Sequence, residues 1–164
     1  MEVDFLFQVG DKIVYPMHGA GVIEAIEEKE ILGEKQQYYV IKMPIGNMQV
    51  LVPMGKASDV GIRLAVDMLT LENTLLVFRD RELEQSLPWS QRYRINMDKI
   101  KTGAIQEGAE VICDLMRMNE RKALNSSEKR MLDNAKDMLI SELALVKGFT
   151  ENQAIDFLHA EVYN

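Results

Sequence analysis

The stretch that decides the fold is Lys12-Ile-Val-Tyr-Pro-Met-His-Gly-Ala-Gly-Val-Ile-Glu-Ala-Ile26. Lys12–Tyr15 alternates and is rich in β-branched and aromatic residues, which predicts a strand. Pro16 to Gly21 supplies a proline and two glycines for a tight turn. Val22–Ile26 resumes as a strand that continues toward Ile31. Leu32-Gly33-Glu34-Lys35 is a second turn, and Gln37–Met43 has strong β composition. Pro44-Ile-Gly46-Asn47 turns the chain again before a strand at Met48–Val52, and Val60–Leu64 predicts a short fifth. Four or five short strands at this spacing predict a small, strongly bent antiparallel barrel.

From about Asp67 the periodicity changes to helical. Thr70 is the expected cap of a helix running to about Arg79, and Asp80 to Leu87 is a polar connector. Pro88 then opens a helix that Gly103 stops. A third helix is expected over roughly Ala104–Asn119, with Ile105, Ile112, Leu115 and Met116 on one stripe. Asn125-Ser-Ser-Glu128 has the form of a capping box and opens a long helix. Its stripe is Met131, Leu132, Ala135, Met138, Leu139, Leu143 and Val146, and Gly148 ends it. Thr150-Glu-Asn-Gln153 is a further capping box before a last helix bearing Ile155, Phe157 and Leu158. The expected architecture is therefore α+β. An SH3/Tudor-like barrel over residues 1–66 precedes an all-α bundle over residues 67–164.

Composition narrows the function. The chain has 164 residues, 47% hydrophobic and 27% charged, enough for one compact domain or two small ones. No apolar run approaches the roughly 20 residues needed to span a bilayer. Met1 to Phe7 is acidic and lacks a basic leader, so a soluble cytoplasmic protein without a membrane partner is expected. The single cysteine, Cys113, excludes an internal disulfide and reads as a buried filler. The formal charge of −7 argues against binding nucleic acid by overall charge. The charge is uneven, however. Residues 86–136 carry 10 Lys and Arg against 7 Asp and Glu, whereas every other segment is net acidic.

That one basic region surrounds Pro88-Trp89-Ser90-Gln91-Arg92-Tyr93-Arg94. At about 100° per residue, Trp89, Tyr93, Met97 and Ile100 share a helix face. Arg92 and Lys99 flank it, while Arg94 and Lys101 lie together elsewhere. Two readings of Trp89 follow. It is a core residue of an ordinary amphipathic helix, or it projects past the helix end as an exposed aromatic beside cations. The second arrangement suits insertion between bases with arginines on the phosphates. Arg117, Arg121 and Lys122 sit at a helix C-terminus, where the dipole favours them. Lys129 and Arg130 sit at a helix start, where it does not; either a solvated face or an anionic partner accounts for them.

Catalytic signals are sparse. His18 and His159 are the only histidines and fall in different predicted domains, neither at metal-ligand spacing. Gly19-Ala-Gly21 precedes a strand rather than a helix and is a poor phosphate cradle. No enzyme, metal or cofactor is expected.

Three blocks carry a resemblance. Val9-Gly-Asp-Lys-Ile-Val-Tyr-Pro-Met-His-Gly-Ala-Gly-Val-Ile-Glu-Ala-Ile26 resembles the opening of the CarD family of bacterial transcription regulators, also called CdnL. Trp89-Ser-Gln-Arg-Tyr-Arg94 resembles that family's tryptophan segment. Ser127-Glu-Lys-Arg-Met-Leu132, with Ser141-Glu-Leu-Ala-Leu145 beyond it, resembles its long C-terminal helix. The blocks occur in order and cover nearly the whole chain; the first alone is similar also to a module of transcription-repair coupling factors.

The resemblance implies an N-terminal domain that docks on the β subunit of bacterial RNA polymerase by pairing strand edges. Lys29 matches a basic polymerase-contacting position, and Met48, Val50 and Leu51 belong to the docking strand. It also implies a helical domain at promoter DNA, on the upstream edge of the melted region. There Trp89 would wedge into the minor groove, with Arg92, Arg94, Lys129 and Arg130 on the phosphates. Two positions depart from the pattern by losing a charge. Leu51 stands where some relatives place an arginine, and Gln91 replaces a basic residue beside the tryptophan. No small-molecule substrate is implied. The function expected is stabilisation of the open promoter complex; the alternative is a protein-protein adaptor without a DNA role.

Overall fold

The alternation over Lys12–Ile26 is a β-hairpin in the computed structural model, which describes residues 6–82 and 87–163. β1 (Lys12–Tyr15) pairs antiparallel with β2 (Gly19–Ile31), Ile13 opposite Gly21. β3 (Glu34–Met43), β4 (Met48–Pro53) and the short β5 (Arg63–Leu64) complete one antiparallel sheet in the order β4-β3-β2-β1-β5. Among the described residues no β4–β5 ladder closes the expected barrel, so β4 and β5 are edges. The long β2 is bulged between Ile23 and Ala25, which sharpens its local twist. Ile13, Ile23, Tyr39, Ile41 and Val52 form the sheet's core, joined by Ala57 and Ile62 from the segment that follows β4. Gly21 is required by close approach. A Cβ there would stand 2.7 Å from the Lys42 carbonyl oxygen and 2.8 Å from the Ile41 side chain.

The helical half departs locally from expectation. α1 (Met68–Leu75) is capped by Asp67 rather than Thr70, the Asp67 carboxylate accepting the Thr70 N–H at 2.7 Å. That bond holds the Asp67 pKa below the usual carboxylate range. The helix expected to reach Arg79 breaks at Leu76, and a short α2 (Val77–Asp80) follows. Thr74 donates its hydroxyl back to the Thr70 carbonyl at 2.9 Å, a bond that bends helices. α3 (Trp89–Lys101), α4 (Ile105–Arg121), α5 (Ser126–Lys147) and α6 (Glu151–Tyr163) follow. Four residues of the expected polar connector, 83–86, and the acidic N-terminal residues 1–5 lie outside the described residues. No described helix is long and apolar enough to cross a membrane.

The two capping boxes come out differently. At α6 the box is reciprocal: the Gln153 N–H donates to Thr150 Oγ1 at 3.2 Å, and the Thr150 N–H to Gln153 Oε1 at 2.9 Å. At α5 Asn125 Oδ1 accepts the Glu128 N–H at 2.9 Å, and the Glu128 carboxylate accepts the Asn125 side-chain amide at 3.2 Å while also pairing with another element. A second core, separate from that of the sheet, is built from Leu71, Phe78, Ile112, Leu115, Leu143 and Leu158 among others. Cys113 lies in it as expected, and burial pushes its thiol pKa up. Val66, at the end of the segment read as barrel, packs on this helical core, as does Ile45 from the β3–β4 turn.

Candidate nucleic-acid interface

Trp89 is the first residue of α3 and is 45% exposed. Its ring lies 5.6 Å from that of Tyr93, tilted by 32°. The face predicted for this helix is real but graded. Tyr93, Met97 and Ile100 pack on the helical core, whereas Trp89 overhangs it at the helix end. The indole is half exposed and therefore not sealed in the core. Pro88 occupies the N-cap and offers no side-chain cap to the amides that follow.

The basic residues divide into two groups. Arg92, expected on a phosphate, instead closes on Glu128 of α5, with Nε to Oε2 and Nη2 to Oε1 both at 2.8 Å. Its Nη1 donates to the Leu87 carbonyl at 3.3 Å. The carboxylate holds the Arg92 guanidinium more firmly protonated than usual. Lys99, on the same flank, pairs with Glu110 of α4 at 3.1 Å. Arg81 joins that cluster through Asp114, at 2.8 and 2.9 Å, and lies 3.5 Å from Glu110. The flanking cations are therefore internal struts. Arg94, Lys129 and Arg130 are exposed and have no ion-pair partner among the described residues. The latter two stand at the start of α5, against its dipole. Exposed cations left without an internal partner are what a phosphate contact needs.

The expected docking residues lie on the sheet. β4 pairs only with β3 among the described residues, so its outer edge is open to another strand. Met48 and Leu51 are exposed on it, while Val50 turns toward the sheet core. Lys29 is on the distal part of the β2–β3 hairpin, 3.4 Å from Glu27. An exposed pair of this kind is worth at most about 1 kcal/mol, so a partner can exchange it cheaply.

Three ion-pair residues behind this surface were not read as such from the sequence. Glu128 and Glu142 are buried on α5 to 1% and 2% exposure. Arg63 of β5 grips Glu142, with Nη2 to Oε1 at 2.6 Å and Nη1 to Oε2 at 2.8 Å. A signal was available. Both glutamates fall on the apolar stripe of α5, in phase with Met131, Ala135, Leu139 and Leu143. A carboxylate at a core-phase position calls for a cation from another element.

Little else on the surface suggests chemistry. A cleft of about 260 Å³ separates the β1–β2 turn, including His18, from α5 and the start of α6. Asp137 lines it, its pKa raised first by burial and then by Asp133 and Glu151. Among the described residues no group of His, Cys, Asp and Glu is placed to hold a metal ion.

Comparison with known proteins gives two family matches. A family described as the CarD-like/TRCF RID domain matches residues 7–65, and one described as the CarD C-terminal domain matches residues 73–159. YdeB of Bacillus subtilis (strain 168), whose name describes it as a candidate transcription factor, is 61% identical over 152 residues. That match takes in 93% of this chain and 99% of YdeB. The solution structure of the N-terminal domain of Myxococcus xanthus CarD is 32% identical, covering 38% of this chain and 84% of that one, with a TM-score of 0.32.

Proposed function

Because the chain belongs to the CarD family of transcription factors, which interact with RNA polymerase, we propose that it acts by docking on the polymerase β subunit and holding the promoter bubble open. The sheet edge at β4, with Met48, Val50 and Leu51, and the hairpin bearing Lys29 form the docking surface. An added strand there would gain main-chain hydrogen bonds along an open edge. Trp89 is the wedge at the upstream end of the melted DNA, and Arg94, Lys129 and Arg130 are its phosphate contacts. Arg92 serves this surface from behind, by anchoring α3 to Glu128.

The observation that carries the reading is Trp89. Trp89 is half exposed at a helix start on the one net-basic region of an acidic chain, which leaves its ring within reach of an anionic partner. The charge arithmetic also fits. A weakly basic patch on a protein of charge −7 should bind free DNA feebly, since even basic proteins bind non-specifically at about 10⁻⁴ to 10⁻⁶ M. Tethering to polymerase supplies an effective concentration on the order of millimolar. A wedge that prefers melted DNA shifts the equilibrium by its differential affinity alone. About 1.4 kcal/mol changes it tenfold, and no chemical step is needed.

The test is the lifetime of the open complex formed by bacterial RNA polymerase with and without the protein. Trp89→Ala is expected to abolish the gain while polymerase binding persists. A gain that survives the substitution removes the wedge role. Unchanged melting with the intact protein, and no salt-dependent DNA contribution, would instead favour the adaptor.

A further inference from the structure

We infer that Arg63 is a positioning residue that sets where the sheet holds the wedge helix. This rests on the reading that the sheet docks and Trp89 acts. Arg63 belongs to edge strand β5, but its guanidinium leaves the sheet. Nε donates to the Gly103 carbonyl at 2.8 Å, and Nη1 and Nη2 take both oxygens of Glu142 on α5. Nη1 also reaches its neighbour's carbonyl, Leu64 O, at 3.1 Å. Gly103 lies just past the C-terminal end of α3, the helix that begins with Trp89. One side chain therefore joins the sheet, the far end of the wedge helix and the long helix.

The same junction is closed from other directions. Glu142 accepts the Val66 N–H at 3.0 Å, so its buried carboxylate takes a backbone amide as well as the guanidinium. Ser141, beside it, accepts the Ala20 N–H at 3.0 Å from β2, level with Arg63 across β1. Pro16 closes on Gly103, where a Cβ would stand 3.0 Å from Pro16 Cγ, and the Gly103 φ of +73° is one that side chains rarely adopt. α3 is thus held to α5 at both ends. Arg92 and Glu128 secure its start, and Arg63, through Gly103 and Glu142, secures its end. Only the second of these anchors involves a residue of the sheet.

A wedge gains from tethering only while its pose relative to the docked domain is narrow. A looser junction spreads the indole over more orientations and lowers its effective concentration at the fork. Arginine is needed because a planar fork reaches the Gly103 carbonyl beyond α3 and both oxygens of Glu142 on α5; a lysine keeps the charge but presents its donors from one point.

The experiment uses the full chain with bacterial RNA polymerase and promoter DNA. Arg63→Lys keeps the charge, and the paired change Arg63→Met with Glu142→Met removes the buried carboxylate together with its cation and guards against an unfolded single variant. Spin labels at Gln36→Cys and Lys101→Cys, both exposed sites on β3 and α3, read the sheet-to-wedge distance in the free protein. We expect both variants to broaden that distribution and to cut the open-complex lifetime gain by about threefold to tenfold, with polymerase affinity changed by less than about twofold. A narrow distribution with the full lifetime gain overturns the inference. So does a parallel loss of polymerase affinity, which would assign Arg63 to the sheet's own fold. If Trp89→Ala keeps the full gain, the wedge reading fails instead, and the distance distribution alone decides whether Arg63 sets the pose.

Discussion

Arg92 follows Trp89 by one helical turn and Glu128 directly precedes Lys129, so the paired 2.8 Å bonds between Arg92 and Glu128 tie the start of the wedge helix to the start of the cation-bearing helix. The acid is 1% exposed, whereas the arginine side chain keeps 22% of its surface in water. The asymmetry sets the consequence of breaking the pair. Arg92→Ala leaves a carboxylate buried without its cation, and the expected loss is about 3 kcal/mol in urea unfolding. Replacing both residues by methionine is expected to restore most of that stability, since apolar packing often matches a buried pair. If Arg92→Ala unfolds like the intact protein, Arg92 is not an internal strut and returns to the phosphate contacts.

The exposed cations predict a different signature. Removing a phosphate contact lowers the slope of log K against log salt by about 0.9 on duplex DNA and about 0.7 on single strands. Lys129→Ala and Arg94→Ala are each expected to reduce, by about that amount, the salt dependence of the factor's effect on open-complex stability. Neither residue has an ion-pair partner among the described residues, so unfolding midpoints are expected to stay put. An unchanged salt slope in both variants removes them from the DNA contact.

Leu51 tests the docking edge. It is 42% exposed on β4, opposite Val40, and its outward side chain contributes little to the core. Leu51→Glu is expected to leave stability within about 0.5 kcal/mol. Polymerase binding is expected to weaken by about fivefold, the scale of 1 kcal/mol that marks an energetically important interface residue. Equal affinity of the two proteins in a direct binding titration would move the docking surface off β4.

Much of the chain was legible in sequence because the signals are local. Strand alternation over Lys12–Ile26, the reciprocal Thr150–Gln153 box and the stop at Gly148 depend on neighbours a few residues apart, and each element formed there. Two of the departures are local too. Asp67 took the cap from Thr70 because its carboxylate reaches the Thr70 amide, and the helix broke at Leu76 rather than running to Arg79.

Local pattern and composition gave most of the elements in order, the family, and the concentration of cations around a single tryptophan. Tertiary structure alone decided which of those cations remain available. Arg92 and Arg94 are two residues apart and chemically alike, yet one meets a buried glutamate on a distant helix and the other faces water. That choice is a matter of how α3 lies against α5. The cost of leaving Glu128 buried without a cation, not any pattern along the chain, makes an inward strut of the first and leaves the second for a partner.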